Sequence, residues 1–403
     1  MTSPLSSEQI LPHDVVAQPG EKRLTRTVEP LDPVLSEAEG YVTSWCQPAD
    51  KRDILHLNAW QYGESELAES DYFDWLYEDN PAGRPVLPVA RETTSGQIVG
   101  FLWYIPVRLR YFGTSVLAFL GANALVHPDY RRCNIYVTLQ AMGVEECIRR
   151  GATLLYAFGG PASIKGAKAV GFEAINMPLL VKPFDMNQLA QARGFGPAQR
   201  VALSLGWRLA EATVWRPRSA KGHVTLEMVG QVGNLSFDES FDRFWQRVAD
   251  KYPIAAVRDR VFLTWRFCSA PFRQYEILAA RDGTELIGYA LLRCAEIQGV
   301  QAGLIMDLLV EPTARGEEAG LLLLAAATRR FREAGMWMAA SLMLGHTQEH
   351  ALLRRAGYVP CPRWLAPRPY LLAIRGCSAQ APLGQMAGQS HHWFVTMANH
   401  DGL

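Results

Sequence analysis

Net charge is missing from this sequence: forty Lys and Arg balance forty Asp and Glu, and the pI is near 7.1. A general electrostatic pull toward nucleic acid or an anionic membrane is therefore disfavoured. Also missing is any C-x-x-C pair. The seven cysteines (Cys46, Cys133, Cys147, Cys268, Cys294, Cys361 and Cys377) are odd in number. That argues against a disulfide scaffold or a zinc ribbon and suits free thiols in a reducing cytoplasm. The first twenty residues have neither a basic start nor a long apolar run, so residues 1–45 are read as a disordered or irregular tail and not as a signal peptide. The uncharged stretch from Tyr111 to Pro128 contains Gly113, Thr114, Ser115, Gly121 and Asn123. It is better read as a pair of buried strands than as a spanning helix. No transmembrane segment is expected, and peripheral membrane contact is left open.

What the chain does have is length and apolar content. It is 403 residues long, 49% hydrophobic and 20% charged, enough for about two to three domains. It also repeats itself. ARETTSGQIVGF at 90–101 matches ARDGTELIGY at 280–289, and ALVHPDYRR at 124–132 matches LLVEPTARG at 308–316. Pro128 and Pro312 each stand 23 residues before a Gly, at Gly151 and Gly335, and AVGF at 169–172 matches RAGY at 355–358. The offsets are 188, 184 and 186 for Gly100/Gly288, Pro128/Pro312 and Gly171/Gly357. Matches in the same order at nearly constant offset argue for two copies of one domain.

Periodicity supplies the elements. Leu321, Leu324, Ala325, Thr328 and Phe331 recur at helical spacing, as do Ile135, Leu139 and Met142. Short apolar runs on either side read as strands. The expected class is α/β (α+β), with one mixed, mostly antiparallel sheet per copy flanked by helices. The expected division is a tail at 1–45, a first domain at 46–215, a linker at 216–236 and a second domain at 237–403. The linker includes the basic stretch Arg216-Pro-Arg-Ser-Ala-Lys-Gly-His223. It reads as a surface linker; a nucleic-acid patch is the alternative, which the neutrality of the whole chain disfavours.

The informative unit runs from Leu125 to Tyr136: strand, loop, then helix. The first turn of a helix has unsatisfied N–H groups and the positive end of the dipole. A pyrophosphate can sit there, held by backbone donors and by Arg131 or Arg132. On Val126–Arg132, the helix to Gly151 and Val170–Phe172, the sequence resembles the GNAT superfamily of acyl-CoA-dependent N-acyltransferases in tandem, two-domain form. FDWLYEDNPAG at 73–83, FDRFWQRV at 241–248, FLTWRF at 262–267 and WFVTMANHDG at 393–402 extend the resemblance over about residues 50 to 403.

The resemblance implies a fold of two acyl-CoA N-acyltransferase-like domains. It also implies an activity: transfer of an acyl group from acetyl-CoA or a longer acyl-CoA to a primary amine, in a ternary complex. The acceptor would be a small molecule, a sugar or a lipid base, the last as in ceramide-synthase-like enzymes. A catalytically decayed module that binds acyl-CoA or a protein partner is the alternative. Implied cofactor-binding residues are Leu125, Val126, Arg131, Arg132, Cys133, Asn134, Ile135 and Tyr136. The family loop Q/R-x-x-G-x-G/A here has Asn134 and Tyr136 at its two small positions. Asn tolerates left-handed angles, whereas the Tyr136 side chain would crowd a pyrophosphate. The second copy, Arg315-Gly-Glu-Glu318-Ala-Gly320, places Glu317 and Glu318 where phosphates would sit. The first copy is therefore expected to hold the CoA and the second to be structural or acceptor-binding. The family's thiolate-protonating tyrosine falls at Ala167 and Leu353, neither a proton donor.

Candidate catalytic residues are Asn123, on the strand before the loop, Ser163, after the next strand with Lys165 nearby, and Asp307. A buried Asp307 would have a raised pKa and act as a base, or it would pair with backbone or an Arg. His127 is read as a solvated loop residue. His346 and His350 are spaced to share a helical face, but no third metal ligand is evident, and no metal is expected. The apolar run 112–126, with Trp103 and Tyr104 before it, either lines an acyl-chain site or is plain sheet core.

Overall fold

The computed structural model describes residues 40–214, 224–230, 235–366, 369–377 and 389–399. Residues 1–39 of the expected tail and the basic stretch 216–223 lie outside the described residues. The last five residues of the expected tail are not a tail: they form strand β1 (Tyr41–Trp45).

In the first copy β1 pairs with β2 (Pro88–Glu92), β2 with β3 (Ile98–Tyr111) and β3 with β4 (Thr114–Val126), all antiparallel. Helices α1 (Lys51–Tyr62) and α2 (Ser70–Tyr77) lie between β1 and β2 in sequence. After β4, α3 (Ile135–Arg149) crosses to β5 (Leu154–Gly159), parallel to β4. Then come α4 (Pro161–Ala169), β6 (Glu173–Met177), β7 (Leu179–Pro183), α5 (Met186–Ala192) and α6 (Pro197–Val214). The second copy begins at β8 (Thr225–Gly230), inside the stretch expected to be linker, and continues through α7 (Glu239–Val248), β9 (Ile254–Ala256) and α8 (Arg260–Leu263). Its sheet follows as β10 (Glu276–Asp282), β11 (Glu285–Ile297) and β12 (Val300–Val310), then α9 (Ala314–Glu333), β13 (Met338–Leu342) and α10 (Gln348–Arg355). It closes with β14 (Val359–Pro360), β15 (Tyr370–Gly376) and β16 (Trp393–Phe394).

The sheets exchange strands across the expected division. The first has the order β1-β2-β3-β4-β5-β15-β6, and the second β8-β10-β11-β12-β13-β7-β14. Each copy places its last long strand in the other copy's sheet. The connection explains why. Only Pro178 separates β6 from β7, and the tightest common hairpin needs two loop residues. β7 therefore cannot fold back on β6 and runs on into the second sheet, where it pairs with β13 and β14.

A second contact joins the copies. Trp75 of α2 and Trp265, in the π-helical turn Thr264–Cys268, stack with ring centroids 5.1 Å apart. The Trp75 indole N–H donates to the Trp265 carbonyl at 2.9 Å, and the Trp265 indole N–H donates to the Trp75 carbonyl at 3.1 Å. Pro81 and Pro271 each follow their tryptophan by six residues. The two indoles are thus counterparts that meet reciprocally, as residues beside a pseudo-twofold axis do. One apolar cluster runs through both copies, from Ile54 and Trp103 to Leu323 and Phe394. A smaller one, with Ile135, Leu139, Leu155 and Ile164, fills the space between the first sheet and α3 and α4.

The histidine spacing misleads. Thr347 caps α10, so His346 precedes the helix that His350 lies on, and the two share no helical face. His346 lies instead against Tyr252, ring centroids 6.3 Å apart. Burial, and then the neighbouring His391, His392 and His350, hold its pKa below the usual value, against a backbone hydrogen bond with Trp393 that raises it. Burial and Arg354 lower that of His350. Among the described residues no group of three His, Cys, Asp or Glu is placed to hold a metal.

Two outcomes follow. The shared strands and core give one cooperative unfolding transition, and residues 40–214 alone do not fold, because β15 is absent from between β5 and β6. Calorimetry checks both, and Trp265→Ala lowers stability by about 3–5 kcal/mol in denaturant melts. Because His346 and His350 resist protonation only when folded, the unfolded chain binds more protons as pH falls through its own histidine range. Melting temperature then drops between about pH 7 and about pH 5, and His346→Gln lessens the drop.

Candidate functional site

In both copies a parallel strand pair comes apart near its end. β4 pairs with β5 from Ala118↔Leu154 to Gly121↔Ala157, then continues without it to Val126. β12 pairs with β13 from Ala302↔Met338 to Leu304↔Ala340, then continues to Val310. The freed backbone edge has polar groups that need partners. His127 N–H donates to the Val99 carbonyl at 2.8 Å, so the adjacent Gly100↔Val126 pair is a non-hydrogen-bonded one and Val126 turns its N–H away from β3. Val310 does the same, since Glu311 N–H donates to the Ile287 carbonyl at 3.0 Å.

The copies treat this edge differently. In the second, Val310 N–H donates to Glu349 Oε1 at 3.2 Å, and the Val310 carbonyl accepts from Lys251 Nζ at 2.9 Å. Glu349, fully buried, pairs with Lys251 at 2.6 Å and accepts from the Tyr252 hydroxyl. Burial pulls the Lys251 pKa down, only partly opposed by Glu349. A carboxylate from α10 thus fills the second slot. In the first, the Val126 carbonyl has a long contact from Arg131 Nε, 3.4 Å, and among the described residues the Val126 N–H has no partner.

The helix starts differ too. Asn134 caps α3 in the left-handed conformation, φ 55°, with no side-chain cap. The N–H groups of Ile135, Tyr136 and Val137 make no hydrogen bond among the described residues. Arg132 is also left-handed, φ 82°, at a cost of about 1–3 kcal/mol. Arg131 Nη2 donates to Gln61 Oε1 at 3.3 Å, which ties the loop to α1. In α9, by contrast, Thr313 Oγ1 accepts from Gly316 N–H at 3.1 Å, and Glu317 pairs with Arg355 at 3.0 Å. The first copy presents an uncapped positive helix end beside two arginines; the second has a capped end flanked by carboxylates.

Tyr136 lies across the gap between α3 and α4. Its hydroxyl accepts from Gln140 Nε2 at 2.7 Å and donates to the Ser163 carbonyl at 3.4 Å. A Cβ on Gly166 would lie 2.3 Å from Tyr136 Cε1, so residue 166 has to be small for the ring to fit.

No protein-family model matches the chain, and neither does any curated protein sequence. Solved structures do. A GCN5-related N-acetyltransferase from Anabaena variabilis superposes with a TM-score of 0.56 at 12% identity, covering 88% of this chain and 84% of its own. A probable N-acyltransferase from Enterococcus faecalis gives 0.55 at 11%, covering 84% and 73%. Saccharomyces cerevisiae N-myristoyltransferase with bound myristoyl-CoA gives 0.52 at 12%, covering 86% and 80%. The chain has the fold of the GNAT-type N-acyltransferases. Its two mixed α/β sheets, mostly antiparallel and flanked by helices, match the fold class expected from the sequence.

Within this GNAT fold the candidate residues fall in different places. Asn123 sits in a β-bulge, where Asn123 and Ala124 oppose a single residue between Phe101↔Leu125 and Trp103↔Ala122, with φ 47°. It is half-buried, and its carboxamide has no hydrogen bond among the described residues. Asp307, 184 positions later, stands beside the counterpart bulge. It is fully buried and accepts from Arg258 Nε (2.8 Å), the Tyr289 hydroxyl (2.8 Å) and Thr396 Oγ1 (2.9 Å). Burial works to lower the Arg258 pKa, but the charge of Asp307 overcomes it and the guanidinium stays ionised. Of the two readings of Asp307, the structure shows the ion pair and leaves no room for an open base. Ser163 Oγ donates to the Gly160 carbonyl at 3.0 Å within the first turn of α4, and Lys165 is exposed.

Leu125 and Ile135 are buried in the core, Cys133 is a half-buried free thiol, and Arg132 is exposed. His127 is not a freely solvated loop residue: its ring lies 4.6 Å from that of Trp60. Ala167 and Leu353 are buried and have no proton to give. Of the apolar run 112–126, Leu120 lines a pocket between the copies; Ala118, Phe119, Ala122, Leu125 and Val126 are buried in the sheet core, and residues 112–115 are exposed. That pocket is narrow and partly open to solvent, and is lined by Trp75, Leu120, Phe262 and Trp265 together with Arg266 and Asn399. Leu120 and Tyr156 are cross-strand partners one step before β4 and β5 part.

Asp307→Asn leaves Arg258 buried without its counter-charge. It destabilises by about 3–5 kcal/mol in urea melts, and any activity of the folded fraction keeps its pH profile. A moved profile would make Asp307 a participant in the chemistry.

Proposed function

We propose that the protein is an N-acyltransferase whose first copy binds an acyl-CoA and passes the acyl group to a primary amine. The observation that carries this reading is the contrast between Val126 and Val310. Among the described residues one strand-end N–H is unpartnered beside an uncapped helix end with two arginines; the other is bound by the protein's own carboxylate. In this reading the N–H groups of Ile135, Tyr136 and Val137, with Arg131 and Arg132, hold the pyrophosphate. The Val126 N–H faces the thioester carbonyl and steadies the oxyanion formed when the amine attacks. The new C–N bond forms, the C–S bond breaks, and the amine proton passes through water to the departing thiolate, since Ala167 offers no acid. Asn123, at the bulge beside the slot, orients the amine. The amine acceptor in this reading is a small molecule, a sugar or a lipid base.

Tyr136 favours a second reading. Its ring closes the α3–α4 gap at a position where the family pattern has a small residue, as in a module that keeps the fold and binds a ligand or partner without turnover. Titration with acetyl-CoA and a long-chain acyl-CoA, followed by thiol release with a panel of amines, separates the two. The enzyme reading expects saturable release, with binding weakened about ten-fold in both Arg131→Ala and Arg132→Ala. Binding without release across the panel supports the module, and no binding at all refutes the enzyme reading.

A further inference from the structure

The two copies use one hairpin acid in different ways. β2 ends at Glu92 and β10 at Asp282. The pairs Ala90↔Gly100 and Ala280↔Gly288, each followed by a register shift, put the two carboxylates at the same place in their hairpins. In both copies the loop after the long strand comes back to that acid. In the second, Arg315 Nη1 donates to Asp282 Oδ2, and the bond and the charge of Asp282 raise the Arg315 pKa. Arg315 is the counterpart of Arg131 in the match of 308–316 to 124–132. Its charge is thus taken up by the protein itself.

In the first copy the preceding residue takes the acid instead. The Tyr130 hydroxyl donates to Glu92 Oε1, and Ser95 Oγ donates to Glu92 Oε2. The second copy has Ala314 at the position of Tyr130, with no hydroxyl to offer. The bond to Glu92 pushes the Tyr130 pKa up to about 12, and the bonds from Ser95 and Tyr130 hold Glu92 below the usual carboxylate range. At neutral pH the hydroxyl therefore keeps donating and the carboxylate keeps accepting. The Tyr130 ring is set edge-on to His127, with centroids 6.2 Å apart. Arg131 has only neutral partners among the described residues: Gln61 Oε1 at 3.3 Å and the Val126 carbonyl at 3.4 Å. These long bonds orient the guanidinium and leave its charge for another anion.

We propose that Tyr130 is a positioning residue for the diphosphate: by occupying Glu92 it keeps Arg131 out of the ion pair that its counterpart makes. This rests on the reading of the first copy as the acyl-CoA site. An Arg131 paired with Glu92 would meet a polyanion with its charge already neutralised.

The test is a cycle of Tyr130→Phe, Glu92→Gln and the double variant, read by the affinity of the full chain for acetyl-CoA and a long-chain acyl-CoA. Tyr130→Phe is expected to weaken binding about five-fold with an unchanged melting temperature, because Arg131 turns to Glu92. Adding Glu92→Gln is expected to restore the parental affinity, since the competing charge is gone. A plain strut between loop and hairpin gives the opposite result, a double variant that binds no better than Tyr130→Phe. That outcome overturns the proposal, and so does a Tyr130→Phe variant that binds like the parent. Should Tyr130→Phe fail to fold, Glu92→Gln alone decides: it is expected to bind as tightly as the parent or more tightly, and weaker binding overturns the proposal. A parent chain that binds neither acyl-CoA refutes the acyl-CoA reading, and this inference with it.

Discussion

The structure depends on a one-residue connection. Pro178 leaves β6 and β7 no room to turn back on one another, so the chain has to leave its first sheet there. Once β7 is committed to the second sheet, a place remains open between β5 and β6, and β15 fills it. The gene-level repeat, two similar units in tandem, therefore does not become two separable lobes. The Trp75–Trp265 contact is the packing expression of the same constraint: two counterpart helices meet face to face because the sheets they cover share strands. Any site at the junction, including the pocket between the tryptophans and Leu120, is built from both halves.

Duplication also posed the same backbone problem twice. A strand that outruns its parallel neighbour exposes an N–H, and leaving one buried without a partner costs about 1–3 kcal/mol. The second copy removes that cost with Glu349, which in turn requires Lys251 and Tyr252 to be buried with it. Among the described residues the first copy gives neither the Val126 N–H nor the first-turn N–H groups of α3 a partner, while Arg131 reaches Gln61 and the Val126 carbonyl. The two ends differ by a few side chains on one scaffold, and in the second copy one of those side chains takes up the strand-end N–H.

Much of this was legible in the sequence. Strand and helix periods, the Pro–Gly intervals and the constant offset gave the repeated unit, because those are local signals. The exchange of β7 and β15 was not legible, since strand pairing is set by nonlocal contacts, although Pro178 between two apolar runs was a usable hint. Glu349 looked like any polar residue near a helix start; only the end of β12 turns it into a cap. Asp307 was correctly singled out as a buried carboxylate, but its partner Arg258 lies 49 residues away and no spacing rule links them. His346 and His350 misled because Thr347 starts a helix between them.

Tyr136 shows how far a family pattern can bend without breaking the fold. A large ring stands where the pattern has a small residue, and Gly166 on α4 has given up the matching volume. Gly143 does the same for Tyr104, where an added Cβ would lie 2.3 Å from Tyr104 Cε2. The two rings are connected: Tyr104 donates to Gln140 Oε1, and Gln140 donates to Tyr136. Tyr104 is fully buried, and burial raises its pKa well above the usual value, so it stays neutral and keeps donating. Tyr136 is thereby anchored through Gln140 to the core of the sheet, which makes it a fixed wall more than a flap. A ligand arm reaching the Val126 N–H would have to pass on the strand side of that wall, through the gap that opens where β4 leaves β5.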